Sequence, residues 1–235
     1  MAVEHTPLGI PVLFGMDVIH GYKTIFPVNL GLSASWDIAG IERMARISAM
    51  EASAAGIAWT FSPMCDISRD PRWGRVSEGS GEDPYLGQHI AAAMVRGYQG
   101  EDLSDPTTIL SCVKHFAAYG APQAGRDYHT VDMSERTFRE VYLPPYRAAL
   151  DAGAATVMTS FNEYDAMPAT GSRYLMTELL RDELGFHGFV VTDYSSIAEM
   201  VNHGVAEDLK DASRLAAKAG VNMDMVANGY LLHLK

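Results

Sequence analysis

The chain has 235 residues and a formal net charge of −11, with 18 basic residues against 29 acidic ones and no basic run. That balance argues against nucleic acid or an anionic membrane as the main partner. No run of 18 apolar residues occurs, so no transmembrane helix is expected, and an apolar content of 48% is enough for one sizeable core.

In chain order, short apolar runs alternate with helical segments. The opening Met-Ala-Val-Glu-His lacks the charged and apolar regions of a signal peptide, so none is expected in this chain. The first strand is predicted at Pro11–Met16, ending at Asp17. A helix follows over Ile38–Ala55, with Asp37 placed to cap it and Gly56 just past its end. The second strand, Ile57–Met64, reaches Asp66 and opens a long connection over Asp66–Pro84. Asp83-Pro84 begins a helix over Tyr85–Tyr98, with proline at the first helical position. The third strand, Ile109–Val113, ends at Lys114 and His115, and a second long connection spans Ala117–Met133. The next helix, Ser134–Ala152, contains Pro144-Pro145, which should kink or break it. The fourth strand, Ala155–Met158, runs into Ser160 and Asn162, and a helix over Arg173–Leu184 follows. The fifth strand, Phe189–Thr192, ends at Asp193. A helix over Leu209–Ala219 leads to the sixth strand, Val221–Met223, which ends at Asp224.

The strand runs are rich in Val, Ile, Met and Phe and do not alternate with polar residues, which is how strands buried on both faces read. Strands alternating with helices predict right-handed parallel βαβ units. No glycine fingerprint of a dinucleotide site follows any of them. The expected fold class is therefore α/β, a (β/α)8 TIM-type barrel. About six of its eight βα units are expected in this chain. Both ends read as cut, and residues 1–235 read as a single catalytic barrel domain. Open barrel edges would favour association of copies into a homo-oligomer. Cys65 and Cys112 are too few for a disulfide scaffold and are expected as buried free thiols.

Barrels of this type place their chemistry at the carboxyl ends of several strands, and here those ends carry ionisable or polar groups. Asp193 is the strongest of them. A carboxylate at the end of a buried strand is costly without a purpose, so it either caps the next helix or faces a pocket as nucleophile, base or ligand. Lys114 and His115 reach the pocket together only if the chain turns there, because neighbours on a strand point to opposite faces. Lys114 suits sugar hydroxyls, or a Schiff base if desolvated. The first long loop holds Arg72, Trp73, Arg75, Glu78 and Glu82, a set that either forms its own ion-pair network or presents Arg75 and Glu78 to a polar ligand. Asp17 and Arg126 complete a set of donors and acceptors suited to a polyhydroxylated ligand. His20, His115, His129, Asp17 and Asp193 show no metal-binding spacing, so no metal is expected.

Six stretches in this order resemble glycoside hydrolase family 3, especially its bacterial periplasmic β-glucosidase branch. They are Val12-Leu-Phe-Gly-Met-Asp-Val-Ile-His-Gly, Thr24-Ile-Phe-Pro-Val-Asn-Leu-Gly-Leu, Ser68-Arg-Asp-Pro-Arg-Trp-Gly-Arg, Glu78-Gly-Ser-Gly-Glu-Asp-Pro-Tyr, Val113-Lys-His-Phe-Ala-Ala-Tyr-Gly and Val190-Val-Thr-Asp. The resemblance implies that Asp193 is the catalytic nucleophile. It implies that Asp17, Arg75, Lys114, His115 and Arg126 bind the sugar at the non-reducing end, with Met158 and Phe161 at the pocket wall. Phe161 stands where many relatives carry tyrosine. The stretch after His115 lacks the Pro-Gly-His-Gly run of the N-acetylglucosaminidase branch, which favours a plain β-glucosidase.

The implied reaction is retaining hydrolysis of β-D-glucosides or oligosaccharides without a cofactor. The family's general acid commonly lies carboxyl-terminal to the barrel, in a second domain expected to be absent here. The carboxyls inside the chain are Glu78, Glu82, Glu163 and Glu199, of which Glu163, just past a strand end, is favoured. Two alternatives stand beside this reading: a truncated sugar-binding barrel with little catalysis, and a Schiff-base lyase using Lys114. Relatives are often periplasmic or secreted, which gives no address for this chain.

Overall fold

Six strand positions stand side by side in chain order, all parallel, in the computed structural model, which describes residues 2–234. Strand β1 (Gly15–Met16) pairs with β2 (Trp59–Thr60). Trp59 bridges to Leu110, and Met64 to Lys114, joining β2 to β3 (Cys112–Phe116). Strand β4 (Thr156–Thr159) lies between β3 and β7 (Phe189–Val191), and Val191 bridges onward to Met223. The family of short parallel strands with intervening helices is the α/β barrel layout expected from the sequence, with six of its strand positions in this chain. A small antiparallel hairpin, β5 (Glu163–Tyr164) and β6 (Met167–Pro168), follows β4.

Local capping explains where the helices begin. Asp37 accepts the Gly40 N–H ahead of helix Ile38–Ala54, and Asp83 accepts the Leu86 N–H ahead of helix Pro84–Gln99. Ser134 accepts from Thr137 N–H, and Asp208 from Asp211 N–H ahead of helix Leu209–Ala219. Each side-chain cap satisfies a donor that the first helical turn leaves without a partner.

The packing has an inside and an outside. Trp59, Cys112, Met158 and Val191 form a layer within the sheet's concave side, joined by Phe61 and Phe189. The Trp59 indole N–H donates to Thr156 Oγ1 across this interior at 2.9 Å. Residues of the opposite strand parity, Val113, Val157 and Val190, face the helices Leu143–Asp151 and Leu209–Ala219 in the main core. A separate cluster of Val18, Ile41, Met44, Ile90, Met94, Tyr98 and Ile109 fastens the first two long helices to the sheet. Burying each such aliphatic or aromatic side chain contributes roughly 1.5–3 kcal/mol before the entropy of ordering it.

Four expectations change. The run Pro11–Met16 is extended but pairs only over Gly15–Met16, and its side chains are exposed rather than buried on both faces. Among the described residues β1 has a strand neighbour only on its β2 side, so the hydrophobic run has nothing covering its other face. Pro144-Pro145 does not break its helix. The preceding residues Phe138–Tyr142 widen into a π turn, with the Leu143 N–H on the Phe138 carbonyl. The i→i−5 spacing carries the chain into a new α-helical first turn, Leu143–Asp151, where prolines are tolerated. The helix expected over Arg173–Leu184 is π-wound over Tyr174–Glu183, with Leu184 N–H on the Leu179 carbonyl. Finally, a short helix, Ser196–Asn202, and the β5–β6 hairpin have no counterpart in the sequence reading.

Both cysteines are free and buried, as expected. Burial pushes the Cys112 thiol up to about 12, and the Cys65 thiol well above its ordinary range, so neither is a reactive thiolate.

Candidate active site

Strand parity carries the site. Stepping two residues past the inner layer leads from Cys112 to Lys114 and from Val191 to Asp193, both on the concave side at the carboxyl ends of the strands. At the end of β3 the register shifts between Val113 and Phe116. That irregularity lets Lys114 and His115 both turn inward, where a regular strand would separate them.

His115 is the hub, only 1% exposed. Its Nδ1 lies 2.8 Å from Asp66 Oδ2, its Nε2 lies 3.2 Å from Arg75 Nη2, and Nε2 lies 3.4 Å from Asp193 Oδ2. Arg75 is clamped by Glu78 through two parallel bonds, Nε to Oε1 and Nη2 to Oε2, each 2.8 Å. Its charge also lies over the Tyr119 ring, 5.6 Å from the centroid. The loop therefore forms its own ion pair, one of the two arrangements the sequence allowed, and that pair sets Arg75 against His115. Burial pushes the Glu78 carboxyl up, but the Arg75 bonds and charge outweigh it and hold it below its ordinary value.

The loop bearing Arg75 is itself pinned from another connection. Asn29 Nδ2 donates to the Glu78 carbonyl, and Ser33 Oγ donates to the Ser80 carbonyl. Lys114, buried to 5% exposure, donates from Nζ to Asp17 Oδ1 at 2.8 Å. An amine locked into a charged pair is a poor Schiff-base nucleophile, so the lyase reading loses its premise.

Asp193 has a 13% exposed side chain. Its Oδ1 accepts the Tyr194 N–H at 2.6 Å, while its Oδ2 is buried with no hydrogen-bond donor among the described residues. Of the two readings left open by the sequence, capping of the next helix does not describe this side chain.

Phe161 forms an aromatic wall with Tyr119 and Tyr128, at centroid distances of 5.6 and 4.7 Å. Met158 lies one step below, in the inner layer beneath the site. Arg126 is the exception. It is exposed on its loop, with no side-chain hydrogen bond or ion pair to the cluster. It follows a Gln123–Gly125 helical turn with extended backbone at Arg126 itself. His20 is spent on the Phe26 carbonyl and His129 is exposed.

Glu163 lies apart from Asp193. Its carboxylate accepts from Thr130 Oγ1 at 2.8 Å and pairs with His203 Nδ1 at 2.7 Å. Burial pushes it up, yet these bonds hold it below its ordinary value. It borders a cleft of about 880 Å³, which Asp193 does not line. Glu82 is exposed. Glu199 is half-buried beside a cleft of about 280 Å³ with Tyr128, Asn202 and His203. Burial raises its carboxyl, the His203 charge opposes that, and the Asp193 charge adds to it.

Sequence reasoning missed three members of this neighbourhood. Asp66 was visible as a strand-end carboxylate but was given no role. Tyr146, far along the chain on an outer helix, gave no signal. Asp127 joins the two long loops by accepting the Trp73 indole N–H at 2.8 Å, and only its place beside Arg126 hinted at it.

Comparison with known proteins follows the same lines. Residues 1–235 match the Glycosyl hydrolase family 3 N terminal domain. A periplasmic beta-glucosidase of Salmonella typhimurium is 46% identical over 227 residues, covering 97% of this chain and 30% of that protein. A beta-xylosidase of Formosa agariphila is 37% identical, covering 93% of this chain and 32% of its own. The crystal structure of a beta-glucosidase from Listeria innocua in complex with glucose superposes with a TM-score of 0.96 at 47% identity, over 99% of this chain and 33% of that one. The chain thus spans about a third of the length of these relatives.

Proposed function

Because the chain belongs to glycosyl hydrolase family 3, we propose that it carries the nucleophile and sugar-binding half of a retaining β-glucosidase acting on terminal, non-reducing β-D-glucosyl residues. The single observation that carries this reading is the buried, donor-free Oδ2 of Asp193 at the end of β7, facing His115. A carboxylate oxygen without a donor is expensive to bury unless something is to bond to it. Identity to the Salmonella and Listeria beta-glucosidases supports the sugar class.

In this reading the Asp193 carboxylate attacks the anomeric carbon while a second carboxyl protonates the departing oxygen. Water then hydrolyses the glycosyl-enzyme, with overall retention. The Asp17–Lys114 pair and Arg75 offer charged donors and acceptors, and His115 a polar one, that fix a sugar's hydroxyls beside Asp193. Phe161 and Tyr128 supply an apolar wall for a sugar ring face. Arg126, exposed on its loop, is not joined to this cluster by any hydrogen bond or ion pair among the described residues. Glu163 is held ionised by Thr130 and His203, which unfits it to donate a proton, so the acid is another carboxyl.

Intact-mass analysis after incubation with an activated 2-deoxy-2-fluoro β-glucoside tests the proposal. The expected result is a single fluoroglucosyl adduct on the peptide bearing Asp193, absent in Asp193→Asn. Folded protein that forms no adduct, or one on another residue, overturns it. The matching fluoroxyloside distinguishes glucoside from xyloside preference, which the Formosa beta-xylosidase brings into question.

A further inference from the structure

The side of His115 away from the sugar site is fully occupied by Asp66, a residue with no exposure at all. Asp66 Oδ2 accepts two bonds from the same histidine, the backbone N–H at 2.9 Å and the ring Nδ1 at 2.8 Å. Asp66 Oδ1 accepts from the Tyr146 hydroxyl at 2.6 Å. That hydroxyl also lies 2.8 Å from the His115 carbonyl and receives the Ala118 N–H at 3.3 Å. Burial pushes the Asp66 carboxyl up, and the His115 and Tyr146 bonds more than offset it, leaving it below its ordinary value.

Donor and acceptor chemistry then fixes the imidazole. An ionised carboxylate only accepts, so the nitrogen facing Asp66 carries a hydrogen. A guanidinium only donates, so the nitrogen facing Arg75 carries a lone pair. The ring is the Nδ1–H tautomer, with Nε2 bare. That assignment also accounts for Asp193 Oδ2, which lies 3.4 Å from Nε2 yet receives no donor.

We propose that Asp66 is a positioning residue that locks His115 as the Nδ1–H tautomer, keeping Nε2 an acceptor and leaving the attacking oxygen of Asp193 free of a proton donor. The opposite tautomer would place an N–H against Asp193 Oδ2. It would tie up the lone pair that attacks the sugar, and set that N–H against a donor hydrogen of Arg75. Tyr146 completes the lock by occupying the other carboxylate oxygen, so that Asp66 has no freedom to rotate away from the ring. The assignment of Asp193 as the attacking oxygen rests on the function proposed above; the tautomer does not.

Nitrogen-15 NMR of histidine-labelled protein, with the His115 signals assigned by their loss in His115→Gln, tests the lock without any turnover. The expected wild-type spectrum shows a protonated Nδ1 and a bare Nε2. In Asp66→Ala the Nδ1–H loses its acceptor while Arg75 still favours a bare Nε2, so an Nε2–H population appears beside the Nδ1–H form, and kcat/KM falls by about 10²-fold, as for other small misplacements at a reacting centre. Asp66→Asn keeps one accepting oxygen for the ring and so restores the wild-type tautomer and most of the activity. A wild-type Nε2–H ring, or a folded Asp66→Ala that keeps both the tautomer and the rate, overturns the proposal. If Asp66→Ala does not fold, the wild-type spectrum decides. The expected spectra combined with no adduct on Asp193 would leave the lock standing and remove the glucosidase reading instead.

Discussion

Arg75 gives three of its donor contacts to protein before any ligand arrives, two to Glu78 and one to His115. Removing it strands a half-buried carboxylate and exposes a bare ring nitrogen. Bonds to charged groups are worth about 1.5–3 kcal/mol each, so Arg75→Ala should lower kcat/KM on an aryl β-glucoside by roughly 10- to 150-fold. Arg75→Lys should rescue little, since an ammonium cannot reproduce the planar two-bond clamp; a normal rate in Arg75→Lys would argue against the clamp. The same residues set an acid limit. Asp66 and Glu78 have folded pKa values below their ordinary values of 3.8 and 4.5. Each therefore contributes stability that is present above those ordinary values and lost as pH falls through the lower folded ones. Thermal melts between pH 6 and pH 2 should show Tm dropping in the acid range, and Glu78→Gln should show a shallower drop; parallel curves would refute it. Much of this site was legible in sequence because strand ends announce themselves. Asp193, Lys114, His115, Asp17 and Arg75 all follow or answer a strand terminus. Tyr146 was invisible because its helix meets Asp66 only through tertiary packing.

Among elements, the contact between helices Ile38–Ala54 and Pro84–Gln99 depends on Gly97. A Cβ there would run into the Glu42 carbonyl oxygen and the Ala45 side chain. Alanine gains about 1 kcal/mol of helix propensity over glycine in an open helix. Here Gly97→Ala should instead lose about 1–3 kcal/mol, as overpacked contacts do. Urea unfolding with an unchanged slope and a lower midpoint is the expected result, and a raised midpoint would count against the close approach. Helix Leu209–Ala219 was read from sequence with both its bounds, and these two helices to within a residue at each end, because aspartate caps and apolar periodicity act within a few residues. The π-wound stretches Phe138–Tyr142 and Tyr174–Glu183 read as α-helix, since one extra residue per turn leaves almost the same apolar pattern. The β5–β6 hairpin is two residues a side, too short for alternation to show.

At the scale of the whole molecule, strand order was legible because parallel units joined by helices stack beside their predecessors. The exposure of Leu13, Phe14 and Met16 was not, since an apolar run does not say how many neighbours will cover it. Glu163, set aside as a proton donor, has a different significance. It stands on the hairpin after β4, receives Thr130 from the long loop after β3, and holds His203 at the end of the helix after Asp193. Its carbonyl also receives the Val131 N–H at 3.0 Å. Three segments from separate parts of the chain are therefore joined at one side chain, and we expect them to open together instead of as three independent flaps. Deuterium exchange should find their protected amides opening with a common rate. Glu163→Gln, which weakens the pair to His203, should split that rate into separate ones, while three unrelated rates in the wild type would overturn that expectation. Under the proposed function, a product would wait on that joint opening, and the timing of turnover would belong to the rim as much as to the bond being broken.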